Sequence, residues 1–314
     1  MRRIRATFLY IALVTGVWTA RVLFWLLPRR TVFAASRWIA DLAFRRFESF
    51  RERSAGNLTI AIGGAAGAGR TDLLVRGCLR NFFRTFVEAG LAVDDGLKQL
   101  KSEVPAEGLE HLHAALAKRK GVIVLSAHLG NFMLLGSRLA AEGFKVYTLI
   151  NHPRGGKIGD FADRYRAKVG QSTIHSHPRK EAFRELTEVL RENRVAIVIA
   201  DEFRSGSGVR ALFFGREVIA RRGPATLALR TGAAVVPACL LRQEDGGLKL
   251  VVEPELELYR SGDVKADVAE NTIRMTRWLE KTVAAHPDQW NWMTVQWQDP
   301  VAPKNNEFGR AAAG

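Results

Sequence analysis

The chain has 314 residues, with 47 Lys+Arg against 32 Asp+Glu and a formal net charge of +15. Its 47% hydrophobic and 25% charged residues are the composition of a folded protein, which excludes a disordered or low-complexity chain. Two cysteines, Cys78 and Cys239, are too few for a disulfide framework or a four-thiolate metal site, and the positive excess points to nucleic acid, anionic lipid or an acidic carrier protein as partner.

Arg2, Arg3 and Arg5 precede an apolar run over residues 8–27 that only Arg21 interrupts and Pro28 ends. As a helix this run is about 30 Å long, the thickness of a bilayer core. Arg21 would cost about 2.5–3.5 kcal/mol at mid-bilayer, but near the end of the run it can snorkel to the interface. Arg29, Arg30, Arg37, Arg45, Arg46, Arg51 and Arg53 follow. The positive-inside rule then favours a cytoplasmic body, and a helix lying in the interface is the alternative. A signal peptide is the rival reading, with a cleavage-like Val32-Phe33-Ala34, yet helical rhythm continues past Pro28 through Ala35, Trp38, Ile39 and Leu42. Residues 1–30 therefore read as a membrane anchor helix. With no zinc-finger spacing and no arginine helix set to read bases, lipid is a better partner than nucleic acid.

Residues 70–90 have helical apolar spacing, and a further helix is expected over 106–119. The β-branched run 122–126 reads as a buried strand, followed at once by His128 and by a helix over 132–142. Strands over 145–150, 172–175, 195–200, 212–214, 234–242 and 249–252 alternate with helices over 158–169, 179–192, 224–231 and 266–285. This alternation predicts an α/β fold with a mainly parallel central sheet flanked by helices, with its chemistry at the C-terminal ends of strands, where His128 and Asp201 fall. One domain covers residues 31–302, and residues 303–314 read as a disordered tail.

Three segments are candidate sites. Residues 64–71 follow the run 58–62 and precede a helix with the spacing of a phosphate-binding loop, and 195–201 could act as the strand with a magnesium-binding Asp. Arg70 stands where that loop needs a Lys, however, and its planar fork does not replace a compact ammonium, so a small-residue turn is the better reading. His175 and His177 lack an acid or Cys to complete a metal set, and no metal or other cofactor is expected. Trp290, Trp292 and Trp297 suit either a membrane interface or a packed core. The third segment, Ser126 to Met133, places His128 between a strand and a glycine turn that opens a helix. Imidazole there can act as a general base, and the helix N-terminus could offer N–H groups of Gly130 and Asn131 to an oxyanion. No nucleophile motif is present.

The His128-Leu-Gly130-Asn131-Phe132 segment resembles the histidine motif of the lysophospholipid acyltransferase superfamily, in its lipid A late-acyltransferase branch. Further blocks resemble that branch in order and spacing: 79–88, 200–204, 208–215, 222–225, 231–237 and 287–292. The resemblance runs over residues 5–298 and implies a glycerolipid-acyltransferase-like fold. It implies transfer of a fatty acyl chain from an acyl carrier protein or acyl-CoA to a hydroxyl of a membrane lipid, such as a lipid A precursor, with His128 as general base. Gly130, Asn131, Glu202, Arg204, Arg221 and Arg222 are then expected to bind substrate, the arginines through lipid phosphate. Two departures stand out. Arg154 is displaced by two residues from the family's Arg-Pro position. More importantly, the family places Glu or Asp at the fifth position after the histidine, and Met133 stands there. Either Asp201 or Glu202 reaches His128 from the neighbouring strand end, with Asp201 the better candidate, or the chain keeps the fold and lipid pocket with little or no activity.

Overall fold

In a computed structural model of the chain, the structure describes residues 2–62, 68–151, 156–203 and 206–298. The phosphate-loop glycines at 64 and 67, the 152–154 segment with Arg154, Arg204 and the 303–314 tail lie outside the described residues.

Four helices open the chain: α1 (Arg2–Leu26), α2 (Arg29–Arg46), α3 (Glu48–Ala61) and α4 (Ala68–Glu103), the last interrupted by a non-helical Gly96. β1 (Ala106–Glu107), α5 (Leu109–Ala117), β2 (Val122–Ser126), α6 (Phe132–Ala141), β3 (Val146–Ile150), α7 (Lys157–Lys168), β4 (Gln171–His175), α8 (Arg179–Arg191) and β5 (Val195–Ile199) follow. The chain continues through a hairpin of β6 (Val209–Phe213) and β7 (Arg216–Ala220), then α9 (Gly223–Thr231), β8 (Ala234–Arg242), β9 (Leu248–Val252) and α10 (Val264–Ala285).

The central sheet has the order β1-β9-β8-β2-β5-β3-β4. β8, β2, β5, β3 and β4 run parallel, β9 turns back against β8, and the edge strand β1 follows the direction of β9. The parallel core follows from composition: every residue of β2 is buried, and its β-branched run lets one strand serve two apolar layers. On one face Ile123, Leu125, Val198 and Val235 pack with α8, α9, α10 and Trp290. On the other, Val122, Val124, Ile197 and Val236 pack beneath α4, α5 and α6.

Three differences from the sequence expectations have local causes. The run 58–62 is no strand: it closes α3, where Leu58 is fully buried, so the strand that a phosphate-binding loop requires is absent. Residues 106–119 begin as an edge strand, because β9 takes Ala106 and Glu107 as partners. Gly108 then turns the chain with φ +78, where a Cβ would meet the Val252 carbonyl oxygen at 1.9 Å, so only glycine fits. β7 escapes sequence reading because Arg216 and Glu217 hide a short strand that becomes evident only beside β6.

The expected membrane-spanning anchor needs correction. Among the described residues, no helix is long and apolar enough to cross a membrane. The second half of α1 is instead docked on α4: the Arg21 guanidinium pairs with Asp94, and the Phe24 ring lies against Gly90. α2 is tied to the same helix by Arg29 to Asp95 at 2.7 Å and by Asp41, which accepts from Arg80 and Arg76 at 2.7 and 2.8 Å.

The hydrogen bond from Arg80, aided by Arg76, lowers the Asp41 carboxyl from 3.8 to about 2. A depressed acid stabilises the fold above its ordinary pKa and loses that contribution as pH falls through its native value. The melting-temperature gap between the wild type and Asp41→Asn should therefore be constant above about pH 5 and should close as pH falls toward 2. A gap that widens on acidification would contradict this assignment.

Candidate active site

β2 and β5 lie side by side in register, with Ser126 opposite Ile199. His128 and Asp201 each follow two residues later, and the shared register brings them together at the C-terminal edge of the sheet. His128 Nδ1 lies 2.8 Å from Asp201 Oδ1, and the His128 backbone N–H donates to Oδ2 at 2.8 Å. The Trp290 indole N–H donates to the same Oδ2 at 2.6 Å. The Asp201 side chain is wholly buried, whereas a third of the His128 side chain is exposed. The imidazole also meets the Phe132 ring edge-on at 4.8 Å.

Burial alone would raise the Asp201 carboxyl. The charge of His128, with the hydrogen bonds from His128 and Trp290, outweighs it and holds Asp201 below the ordinary carboxylate range. The surroundings are dry and aromatic: Phe203 packs on Phe213 at 4.6 Å, Phe213 on Trp290 at 5.6 Å, and Trp290 on Trp292 at 4.8 Å. Low polarity there strengthens the bonds that Asp201 accepts.

Asp201, rather than an acid at position 133, thus supplies the carboxylate to Nδ1. Met133 packs with the apolar layer beneath α4 and α6. Glu202, the other acid considered, is half-buried in the next position.

The expected anion donors are placed differently. The Gly130 N–H donates to the Gln289 carbonyl at 3.2 Å and the Asn131 N–H to the Leu240 carbonyl at 2.7 Å. β8 runs past the end of β2, and its Leu240 carbonyl takes up the Asn131 N–H, while the segment after α10 takes up that of Gly130; a free helix N-terminus would expose both. Asn131 is fully buried: its side chain caps α6 by accepting from Leu134 N and donates to Glu88 at 2.8 Å. Gly130 and Asn131 therefore build the turn and offer no backbone donor to substrate. Gly130 is the residue that this turn requires, with φ +58 and a Cβ position 2.2 Å from the Leu240 carbonyl oxygen.

Arg221 is half-buried and Arg222 exposed at the first turn of α9, with Arg222 as its N-cap. α9 delivers the chain to the start of β8, so this end lies toward the sheet edge that carries His128. Arg204 lies outside the described residues. Both thiols are buried: burial raises Cys78, and it pushes Cys239 up to about 12, which leaves neither as a ready thiolate. His175 pairs with Asp163 at 3.2 Å and His177 with Ser176 at 2.9 Å. Among the described residues, no group of three His, Cys, Asp or Glu could hold a metal ion. Trp290 and Trp292 are core residues, and Trp297 donates to Asn57 at 2.9 Å. Sequence reading missed the contact of Trp290 with the site; its signal was the 287–292 block, which carries no mark of what the indole touches.

An imidazole held by a buried carboxylate at the edge of a parallel sheet has the geometry that general-base chemistry needs. The chain belongs to the bacterial lipid A biosynthesis acyltransferase family, whose model matches residues 2–299. It is 31% identical over 192 residues to a phosphatidylinositol mannoside acyltransferase of Mycobacterium tuberculosis, an alignment covering 60% of this chain and 58% of that relative. The chain thus spans less than two thirds of that relative's length. A phosphatidylinositol mannoside acyltransferase of Mycolicibacterium smegmatis is 28% identical over 230 residues, covering 72% of this chain and 73% of the relative. A lipid A biosynthesis palmitoleoyltransferase of Escherichia coli is 23% identical over 218 residues, 68% of each.

Trp290→Phe keeps an aromatic ring but removes one of the hydrogen bonds to a buried carboxylate. It should lower unfolding free energy by about 1.5–3 kcal/mol in denaturant titration, the usual worth of a hydrogen bond to a charged group. A variant within about 0.5 kcal/mol of wild type would show that this bond carries little.

Proposed function

We propose that this protein transfers a fatty acyl chain from an acyl thioester to a hydroxyl group of a membrane lipid, with His128 as general base. The observation that carries this reading is the 2.8 Å contact between His128 Nδ1 and the buried Asp201. With Nδ1–H given to Asp201, Nε2 bears the lone pair that accepts a proton. The acceptor hydroxyl passes its proton to Nε2, and its oxygen attacks the thioester carbonyl. The tetrahedral intermediate then expels the thiolate, which takes the proton back from the imidazolium. Asp201 stays ionised throughout and stabilises the charged ring, as a triad carboxylate does. No acyl-enzyme is required, in keeping with the buried state of both thiols.

The family and its relatives support a lipid acceptor. The mycobacterial relatives are named for phosphatidylinositol mannoside and the enteric one for lipid A, so a lipid A precursor or a comparable glycolipid is the acceptor we propose. The donor is an acyl carrier protein or acyl-CoA, both acidic, which suits a chain of net charge +15. Arg221 and Arg222, with Glu202, are the side chains we assign to substrate binding, the arginines through lipid phosphate. The Asp201 contact weighs against the second reading, in which Met133 leaves an inactive lipid-binding relative, because it provides the missing orienting acid.

The protein meets the bilayer at its interface, on the inner membrane where such lipids are built. Trp18, Trp25 and Leu26 on α1 and Trp38, Ile39 and Leu42 on α2 are exposed, with Arg30, Arg37, Arg45 and Arg46 exposed between and beyond them. Apolar anchors among arginines suit an anionic surface.

Two measurements test these statements. Incubation with labelled acyl thioester and bacterial lipid extract should give acylated lipid; His128→Ala should abolish it, and Asp201→Asn should lower turnover by up to about 10⁴-fold, as in a serine protease triad. Full activity in His128→Ala would refute the mechanism. Trp25→Ser combined with Trp38→Ser should weaken sedimentation with phosphatidylglycerol vesicles at least about tenfold, since each lost anchor removes apolar burial worth over 1 kcal/mol. Unchanged vesicle binding would remove α1 and α2 from the membrane contact.

A further inference from the structure

Behind the His128 turn, on the side away from Asp201, lies a second buried ionic cluster that the proposed chemistry does not use. Glu88 of α4 and Arg242 at the end of β8 form a two-pronged pair, Nη1 to Oε1 at 2.7 Å and Nη2 to Oε2 at 2.8 Å. Both side chains are about nine-tenths buried, at 10% and 12% exposure. Removing two such charges from water is expensive, and a cluster of this kind is more often retained for specificity than for stability.

One bond of the cluster ends directly on the turn that follows His128, two routes reach it through Asn81 and Gln289, and Arg242 Nη1 also donates to the Gly246 carbonyl at 3.2 Å. Glu88 Oε2 accepts from Asn131 Nδ2 at 2.8 Å. Arg242 Nε donates to Asn81 Oδ1 at 3.0 Å, and Asn81 Nδ2 donates to the Gly130 carbonyl at 3.0 Å and the Gln289 carbonyl at 3.2 Å. Thr85, one turn before Glu88, donates its hydroxyl to the same Gly130 carbonyl at 3.2 Å. Gln289 exchanges two bonds with the Arg242 backbone, each 2.9 Å, and its own carbonyl accepts the Gly130 N–H. Arg84 Nε adds a donor to Glu88 at 2.9 Å. α4, β8, α6 and the 289–290 segment therefore all bear on Gly130 and Asn131.

We propose that the Glu88–Arg242 pair is a positioning device for His128, acting through Asn81, Asn131 and Gln289 on the Gly130 turn. This rests on the reading of His128 as the base. Asp201 sets the ring's tautomer and tilt from one side, and the Glu88–Arg242 cluster sets where the backbone carrying the ring can go from the other. Asp201 grips the ring and the His128 N–H, and the cluster fixes the next residues of the same backbone, Gly130 and Asn131. Displacing a base by about 1 Å costs on the order of a hundredfold in rate.

Two mild variants test it. Arg242→Lys keeps the charge but loses the fork that grips both Glu88 oxygens. Asn131→Asp keeps the helix cap but sets a carboxylate against Glu88. Each is measured in the full chain by the ¹⁵N signals of the His128 ring, assigned with His128→Ala, by thermal unfolding, and by kcat and KM for acyl transfer. The expected result is a moved His128 signal, with kcat reduced about tenfold to a hundredfold and KM within about twofold. Thr85→Val, which removes only one hydroxyl, should give a smaller change in the same direction and decides the matter where either other variant fails to fold. A His128 signal and kcat that match wild type overturn the proposal. So does a kcat loss that tracks melting temperature while the ring signal stays in place. Moved ring signals in a chain whose wild type transfers no acyl group would uphold the positioning role and remove the transferase reading instead.

Discussion

The site depends on a carboxylate kept out of water. Sealing Asp201 beneath Phe203, Phe213 and Trp290 carries a desolvation penalty of several kcal/mol. That penalty is met by bonds of fixed direction: two from His128 and one from Trp290. None can be lost without leaving charge unpaired in an apolar layer. The strands, the aromatic shell and the closing segment are thereby bound to one geometry, and His128 has little choice of orientation.

This arrangement changes where the precision of the site originates. An acid on α6 would be placed by helical spacing within a single element. Here the acid stands on β5 and the imidazole after β2, so their meeting depends on strand register. A slip of one residue would turn Asp201 to the opposite face of the sheet. The buried, fully paired runs of β2 and β5 guard against that slip, because shifting either would drive a complete apolar face out of its layer. Core packing and active-site alignment are thus the same physical fact in this molecule.

Much of this was legible in the residues. The runs that became β2 and β5 are rich in β-branched residues and uninterrupted, β8 is a longer apolar run, and the alternation of strand and helix gave the mainly parallel sheet. His128 and Asp201 could be located because each directly follows such a run. Other features depend on neighbours that local patterning does not record. β1 exists because β9 has an edge to cover, and β7 because β6 lies beside it. The run 58–62 has strand composition but closes a helix on the core. The N-terminal apolar run was read by its length, whereas its outcome reflects Asp94 and Gly90 of α4, roughly seventy residues away. Gly130 and Asn131 were read as free helix-end donors, and the Gln289 and Leu240 carbonyls that occupy them cannot be seen from a motif. The indole of Trp290 is the clearest case: nothing near it in sequence points to a carboxylate 89 positions earlier.

The placement of Gln289 and Trp290 bears on how the molecule matures. A ribosome makes α4, the sheet and His128 well before it makes these two residues, and domains tend to fold as they emerge. Until the 289–290 segment arrives, the Asp201 carboxylate lacks a donor and the Gly130 turn lacks its backbone partner. A chain that has not yet reached these residues can therefore form most of the sheet and the His128–Asp201 contact without the two bonds that brace them. The last bonds that fix this edge of the sheet thus come from residues remote in sequence from the strands they brace.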